Sequence, residues 1–330
     1  MITKTSPPPI LAERLRNAIQ SATLAPSSHN TQPWMFRISE GGVELIADKR
    51  RACPVVDPDN RELYISCGAA LYHLRLAMKA DGLATLVKIL PTRDNPDLVA
   101  RVLVAGTHIP SSDERTLFNA IPKRRTNRFP FENREVDPEL QVEWINDVRS
   151  EHARIHFLQT SQQKHAAADL VSEGDRLQAS DPDFRRELAQ WVHSNNSSRR
   201  DGLPGYTHGV SDFASNFDSF VVRTFDWGDG QAAKDRQLAE GSPLLAVIAT
   251  NTDTVADWIA CGQALAKMLL RAASWSVDAS FLNQAIEVET LRKRLANLTD
   301  NEGVPQLLLR LGYGKEVKPT PRRPLSEVII

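Results

Sequence analysis

The sequence predicts an α+β protein built from two similar halves, and three observations predict it. Runs with apolar residues three and four apart alternate along the chain with short β-branched or apolar runs, so helices and strands are interleaved. One helical segment occurs twice. Ile65-Ser-Cys-Gly-Ala-Ala-Leu71 and Ile259-Ala-Cys-Gly-Gln-Ala-Leu265 share five of seven residues at a constant offset of 194, and the match continues with Leu74 opposite Met268 and Leu76 opposite Leu270. The composition, 41% hydrophobic and 25% charged over 330 residues, is that of a globular chain long enough for two units. The expected division is 1–108 for the first repeat and 109–330 for the second.

Each element follows from its local pattern. Ile10 to Thr23 carries Ile10, Leu11, Leu15, Ala18 and Ile19 at helical spacing. Trp34 to Ile38 and Val43 to Ala47 flank Glu40-Gly-Gly42 and predict a hairpin. Arg50 to Asn60 is polar with two prolines and reads as loop. Glu62 to Gly82 reads as a helix stopped by its glycine. Thr85 to Leu90 and Leu98 to Ala105 read as strands. In the second half, helices are expected at Glu114 to Ile121, Pro138 to Arg149, Gln162 to Ala179, Asp183 to His193, Thr252 to Trp275 and Glu287 to Leu298. Strands are expected at Ala153 to Leu158, Pro243 to Ala249 and Gln306 to Gly312. The stretch 195–230 breaks this rhythm. It carries Tyr206, Phe213, Phe217, Phe220, Phe225 and Trp227 among Gly, Ser and Asp, and spaced aromatics without periodicity read as a lid packed over something. The tail 315–330, with Pro319, Pro321 and Pro324, cannot form one continuous helix.

Several function classes are disfavoured. A net charge of −1 and a pI near 6.7 argue against nucleic acid or an anionic membrane surface as partner. No run approaches the roughly 18 apolar residues of a spanning helix, and Met1 to Pro9 has no signal-peptide core. A cytoplasmic location is expected. Cys53, Cys67 and Cys261 form neither a disulfide framework nor a metal-ligand spacing, and the repeated Cys67 and Cys261 read as packing residues. No GxGxxG, P-loop, HExxH or GxSxG motif is present. His29 and His73 are isolated and read as structural residues.

Two stretches stand out. Leu24-Ala-Pro-Ser-Ser-His-Asn-Thr-Gln-Pro-Trp34 joins a helix to a strand through a loop dense in hydrogen-bonding side chains. It is either a Pro-stiffened connection or a ligand loop. Lys123-Arg-Arg-Thr-Asn-Arg128 offers three guanidinium forks, which suit phosphate; a solvated basic turn is the bland alternative. If the repeats pack as two subunits of a dimer would, about a pseudo-two-fold axis, the two stretches can meet in one site.

Ala25-Pro-Ser-Ser-His-Asn-Thr-Gln-Pro-Trp34 resembles the APSxxNxQPW signature of nitroreductase-like flavoproteins. Ile121-Pro-Lys-Arg-Arg-Thr-Asn-Arg-Phe129 resembles their second hallmark, a helix followed by Arg-Arg-Ser-x-Arg-x-Phe. Ordinary members carry both motifs in one short chain, Arg motif first, and a homodimer forms two FMN sites. Here the loop lies in the first half and the Arg motif in the second. Pro7-Pro-Pro9 and Arg149-Ser-Glu-His-Ala-Arg154 stand where the missing copies belong. With Arg322-Arg323-Pro324 and this chain length, the pattern is similar to the Acg-type fused subfamily.

The resemblance implies a nitroreductase fold in which two fused repeats pack as a monomeric pseudo-dimer with one FMN site. Arg124, Arg125, Thr126 and Arg128 would hold the phosphate and ribityl chain, with Arg322 and Arg323 closing on the phosphate. Pro26, Ser27, Ser28 and Asn30 would line the isoalloxazine. Asn283-Gln284 stands where the family places Glu-Gly near flavin N5. No catalytic side chain is expected, because the flavin carries the chemistry between an electron donor, NADH or NADPH, and a nitro or quinone acceptor. The alternative is a non-catalytic, FMN-sequestering stress protein with a closed lid, and a third reading is a module for another phosphate-bearing ligand.

Overall fold

The computed structural model describes residues 7–39, 41–92, 95–209 and 228–330. The first half runs α1 (Pro9–Ala22), β1 (Trp34–Ser39), β2 (Gly42–Ala47), α2 (Arg61–Ala80), β3 (Leu83–Ile89) and β4 (Leu98–Thr107). The second begins with α3 (Ser112–Ala120), α4 (Pro138–Ser150), β5 (Arg154–Leu158), α5 (Ser161–Ser180) and α6 (Pro182–Trp191). A two-residue parallel ribbon, β6 (Val192–His193) with β7 (Leu203–Pro204), follows, then α7 (Gly228–Glu240) and β8 (Leu244–Thr250). The chain continues through α8 (Val255–Ser274), β9 (Asp278–Phe281), α9 (Gln284–Glu287), α10 (Glu289–Ala296), β10 (Val304–Gly312) and α11 (Leu325–Val328).

The repeat seen in one helix extends to the whole topology. Each half contributes a four-stranded antiparallel sheet, ordered β1-β2-β4-β3 and β5-β8-β10-β9. Counted within its own half, each sheet has the order 1-2-4-3. In each, a long helix joins the second strand to the third, and another precedes the first: α1 and α2 correspond to α4 and α8. Burial runs unbroken from Arg61 to Leu74 on α2, and α8 is almost as enclosed, as expected of helices with no solvent face. They cross where each carries its repeated glycine. A Cβ on Gly68 would lie 2.2 Å from the carbonyl oxygen of Ile259, and one on Gly262 would lie 1.9 Å from that of Ile65. The two contacts are related by the same offset of 194, so the crossing lies on the pseudo-two-fold axis. Cys67 and Cys261 are fully buried beside it and free, and burial pushes both thiols up, in agreement with a packing role.

Most predicted elements form within a residue or two of their expected bounds, for readable reasons. Ser111 and Thr254 cap α3 and α8 through reciprocal bonds with Glu114 and Asp257. Strand β8 is buried at every position because Ala246 and Ile248 face the central core while Leu245 and Val247 face a second core under α5 and α10. Two differences matter. The predicted helix Asp183 to His193 stops at Trp191, and Val192-His193 pairs with Leu203-Pro204 instead. Helix α7 occupies the end of the stretch expected to be lid. The expected lid aromatics Phe213, Phe217, Phe220, Phe225 and Trp227 lie outside the described residues.

The C-terminal residues tie the second half to the first. Ile329 bridges Phe36 in parallel, and Ile330 N–H donates to Phe36 O at 2.9 Å, so the C-terminal residues extend the first sheet past β1. No helix among the described residues is long and apolar enough to cross a membrane.

Candidate functional site

The loop between α1 and β1 is held in an unusual conformation. His29, Asn30 and Gln32 all have positive φ (47°, 54° and 52°), and left-handed backbone at three non-glycine residues is strain, about 1–3 kcal/mol each, that surroundings must over-determine. They do. Ser27 Oγ accepts from Gln32 N–H at 3.0 Å, and Gln32 Nε2 donates to Arg200 O at 2.8 Å. Gln32 Oε1 accepts from Arg323 N–H at 2.8 Å. Asn30 Nδ2 donates to Gly202 O and Pro321 O, and Asn30 Oδ1 accepts from Arg322 Nη1 at 2.9 Å. Ser28 hydroxyl donates to the Glu62 carboxylate on α2. The described part of the expected lid, 195–209, therefore lies against this loop, with Asp201 paired to Arg51.

The arginine stretch is placed beside the loop by the second half. Thr126 bridges Ala279, and Asn127 N–H donates to Ala279 O at 3.0 Å. Asn127 Nδ2 reaches Asp278 Oδ2 at 2.8 Å. Arg310, fully buried on β10, donates to the carbonyls of Asn127 and Phe129 at 3.1 and 3.0 Å. Two cavities flank the stretch and share Thr126 and Arg128 in their walls. The larger, about 570 Å³, is lined by Pro26, Ser27 and Ser28 from the loop, by Asn283 and Gln284 after β9, and by α2, α5 and α7. The smaller, about 350 Å³, is lined by Arg124, Arg125, Lys318, Arg322 and Tyr206. Both fall in or near the size range of ligand sites, and the larger draws its walls from both halves. The loop of the first half and the arginine stretch of the second thus meet in the wall of one cavity. The pseudo-symmetric counterpart of the loop is only the turn Glu151–Ala153 between α4 and β5, where Glu151 pairs with Arg75 at 2.9 Å.

The chemistry of the smaller cavity is that of an anion site. Arg124 is 5% exposed, and its Nε and Nη1 have no partner; Arg322 Nε is likewise buried and unpartnered. Burial, with Arg322 and Arg125 nearby, pulls Arg124 down to about 9. Burial and then Arg125 pull Arg322 to about 10. Arg128 is also drawn to about 10 by burial, Asp235 partly opposing. A buried cation without a counter-charge costs several kcal/mol. A phosphate would supply both the missing charge and the missing acceptors, so the residues present fit a phosphate-bearing ligand.

Not every expected residue faces a cavity. Asn30 does not line the larger one; its amide is spent on Gly202, Pro321 and Arg322, and it acts as a strut holding Arg322. Arg323 faces neither, because its guanidinium is bound to the carbonyls of Gln32, Trp34 and Glu327 and so clamps the tail to β1. His73 fits its structural reading: it is fully buried beside Ser21 O, and burial, then Arg124, holds it down to about 3, hence neutral. His29 departs from that reading, since it lines the larger cavity with Nδ1 unpartnered. Sequence reasoning missed Glu62, Asp175, Asp235 and Lys318, none of which belongs to a motif. They reach the cavities by helix packing or tail placement.

No family model matches the chain. An uncharacterized protein of Mycobacterium tuberculosis (strain H37Rv) is 31% identical over 331 residues, covering 96% of this chain and 92% of its own. A second protein of that strain, named "Putative NAD(P)H nitroreductase acg", is 28% identical over 329 residues, covering 97% and 96%. The FMN and NADPH-dependent nitroreductase NfnB of Sphigopyxis sp. strain HMH aligns with 65% of this chain and 97% of its own, at 15% identity and a TM-score of 0.44. The chain belongs to the nitroreductase superfamily, in the Acg-type group with two fused repeats.

Proposed function

We propose that this chain is a flavoprotein oxidoreductase, complete as a monomer of two repeats (1–108 and 109–330), that binds one FMN non-covalently. In this reading it passes electrons from NADH or NADPH to a nitro, quinone or enone acceptor. The observation that carries it is the group of buried, unpartnered guanidinium atoms at Arg124 and Arg322, adjoining a large cavity walled by both halves. Arg124, Arg125, Arg128 and Arg322, with Thr126, would take the phosphate and sugar chain in the smaller cavity. Pro26, Ser27 and Ser28 would meet the ring system in the larger, and Asn283 and Gln284 would stand in place of the Glu-Gly of the wider family. When bound, FMN supplies hydride acceptance and donation at N5. The relatives named NAD(P)H nitroreductases support a nicotinamide donor.

A second reading is favoured by the contacts of 195–209. With Tyr206 on the smaller cavity and Gly202 bonded to the loop, this segment covers the site from outside, as a flavin-sequestering protein would require. Anaerobic addition of NADH and of NADPH to the FMN-loaded protein separates the two. Bleaching of the flavin band is expected; a band that neither nucleotide bleaches favours sequestration, and a chain that takes up no FMN removes both readings. The Arg322 assignment has its own check. Asn30→Asp places a carboxylate against Arg322 and supplies the counter-charge internally. FMN affinity measured by titration calorimetry should fall at least about tenfold, the worth of one charge-assisted bond. An unchanged Kd would remove Arg322 from the phosphate contacts.

A further inference from the structure

The larger cavity holds an acidic pair that the assignment of the flavin contacts leaves unused. Asp175 on α5 and Asp235 on α7 both accept from one donor, Gln284 Nε2, at 3.0 Å each. Asp175 is 2% exposed and lines the cavity, and its second oxygen, Oδ2, has no partner. The approach is built in: a Cβ on Gly174 would lie 2.8 Å from Gln284 O, so the bare backbone there lets α5 touch the start of α9. Burial raises Asp235 too, but it has more support against that, from Gln231 Nε2 at 2.8 Å and from the nearby charges of Lys234, Arg310 and Arg128. Asp175 is answered by Gln284 and by the cation Arg176, and it faces Asp235. Glu62 also lines this cavity, as do Glu287, which burial pushes well above the usual carboxylate range, and His29 and His208, which burial holds low.

We propose that Asp175 is the proton donor to the acceptor reduced in this cavity, with Asp235 kept as the anion that holds Asp175 protonated and Gln284 fixing the pair. The inference rests on the flavoprotein reading above. Two-electron reduction of a quinone, enone or nitro group by hydride also consumes one proton. The hydride brings the electron pair to the acceptor. The O–H bond of Asp175 breaks, a new O–H or C–H bond forms on the product (or water leaves, for a nitro group), and the carboxylate regains its proton from solvent. Two carboxyls whose surroundings separate their titrations divide into an acid and an anion. Burial, then Asp235, raises Asp175 to about 8, so it carries its proton at neutral pH.

The pair is tested without turnover and with it. Infrared difference spectra of the holoprotein in H2O and D2O should show a protonated carboxyl at pH 7 that disappears in Asp175→Asn. In Asp235→Asn, removal of the neighbouring charge should lower its titration midpoint. Stopped-flow oxidation of the reduced holoprotein by a quinone should slow about 10²–10⁴-fold in Asp175→Asn, and the wild-type decline above about pH 8 should vanish. A wild-type spectrum with no protonated carboxyl at pH 7 overturns the assignment, and so does an Asp175→Asn variant with the wild-type rate and pH profile. If the carboxyl is present but the chain takes up no FMN, the flavoprotein reading fails and the donor role falls with it. If FMN is bound and reduced normally while the carboxyl titrates as an ordinary aspartate, only the present inference fails.

Discussion

Replacing Arg124 and Arg128 together is expected to yield a protein that folds but retains no FMN. Each guanidinium–phosphate contact is worth about 1.5–3 kcal/mol, so losing two weakens binding roughly 10²- to 10⁴-fold. The same substitutions act with opposite sign on the empty protein. Arg124 is almost wholly buried, two of its nitrogens lack partners, and the groups that press on it are the cations Arg322 and Arg125. Replacing such an unpaired charge with an apolar side chain of similar length is neutral or stabilising by about 1–4 kcal/mol. Arg124→Met should therefore raise the melting temperature of the apoprotein. In excess FMN the order should invert, because ligand at about 100 times its Kd adds about 2.7 kcal/mol to the wild type and far less to the variant. Thermal scans of both proteins, with and without FMN, give the four values needed. A variant that is less stable than wild type without FMN and equally stabilised by it would show that Arg124 is a structural cation.

The reversed order of the two motifs was the most informative feature of the sequence, because it demanded that the halves bring together Ala25–Trp34 and Ile121–Phe129, far apart in the chain. Motif chemistry and periodicity are local, and most of the elements they define formed as expected. What was not legible is what packing alone decides. Asn30 sits within the loop motif and Arg323 in the basic C-terminal tail, yet their bonds go to Gly202, Arg322, Gln32 and Trp34 and neither residue lines a cavity. Asp175 and Asp235 belong to ordinary amphipathic helices, and only the close approach at Gly174 puts both on Gln284. Helix α7 was hidden for a related reason. Gly228 to Glu240 is rich in Ala, Gln, Asp and Gly with a weak apolar stripe, and its position against α5 is a tertiary choice.

The repeated glycines give the largest expected effect on stability. An added methyl at Gly262 meets the Ile65 carbonyl at 1.9 Å, and one at Gly68 meets the Ile259 carbonyl at 2.2 Å. Both obstacles are backbone inside a helix, so neither can rotate away. Relief requires α2 and α8 to separate by about an ångström, which opens gaps around Leu71, Leu74, Leu265 and Met268 in the central core. Gly262→Ala is therefore expected to cost about 3 kcal/mol, the upper end for overpacking. That outweighs the gain of up to about 1 kcal/mol that alanine brings to a helix interior. Chemical denaturation should show the loss as a shift in midpoint at constant slope. The pseudo-two-fold axis makes a sharper demand. One separation of the helices relieves both clashes, so Gly68→Ala combined with Gly262→Ala should cost less than the sum of the single changes. The coupling should be at least about 1 kcal/mol, within the range for residues in contact. Additive losses would mean that the two glycines are accommodated independently and that the crossing is not a shared contact on the axis. Wild-type stability in either single variant would mean that the helices do not approach this closely.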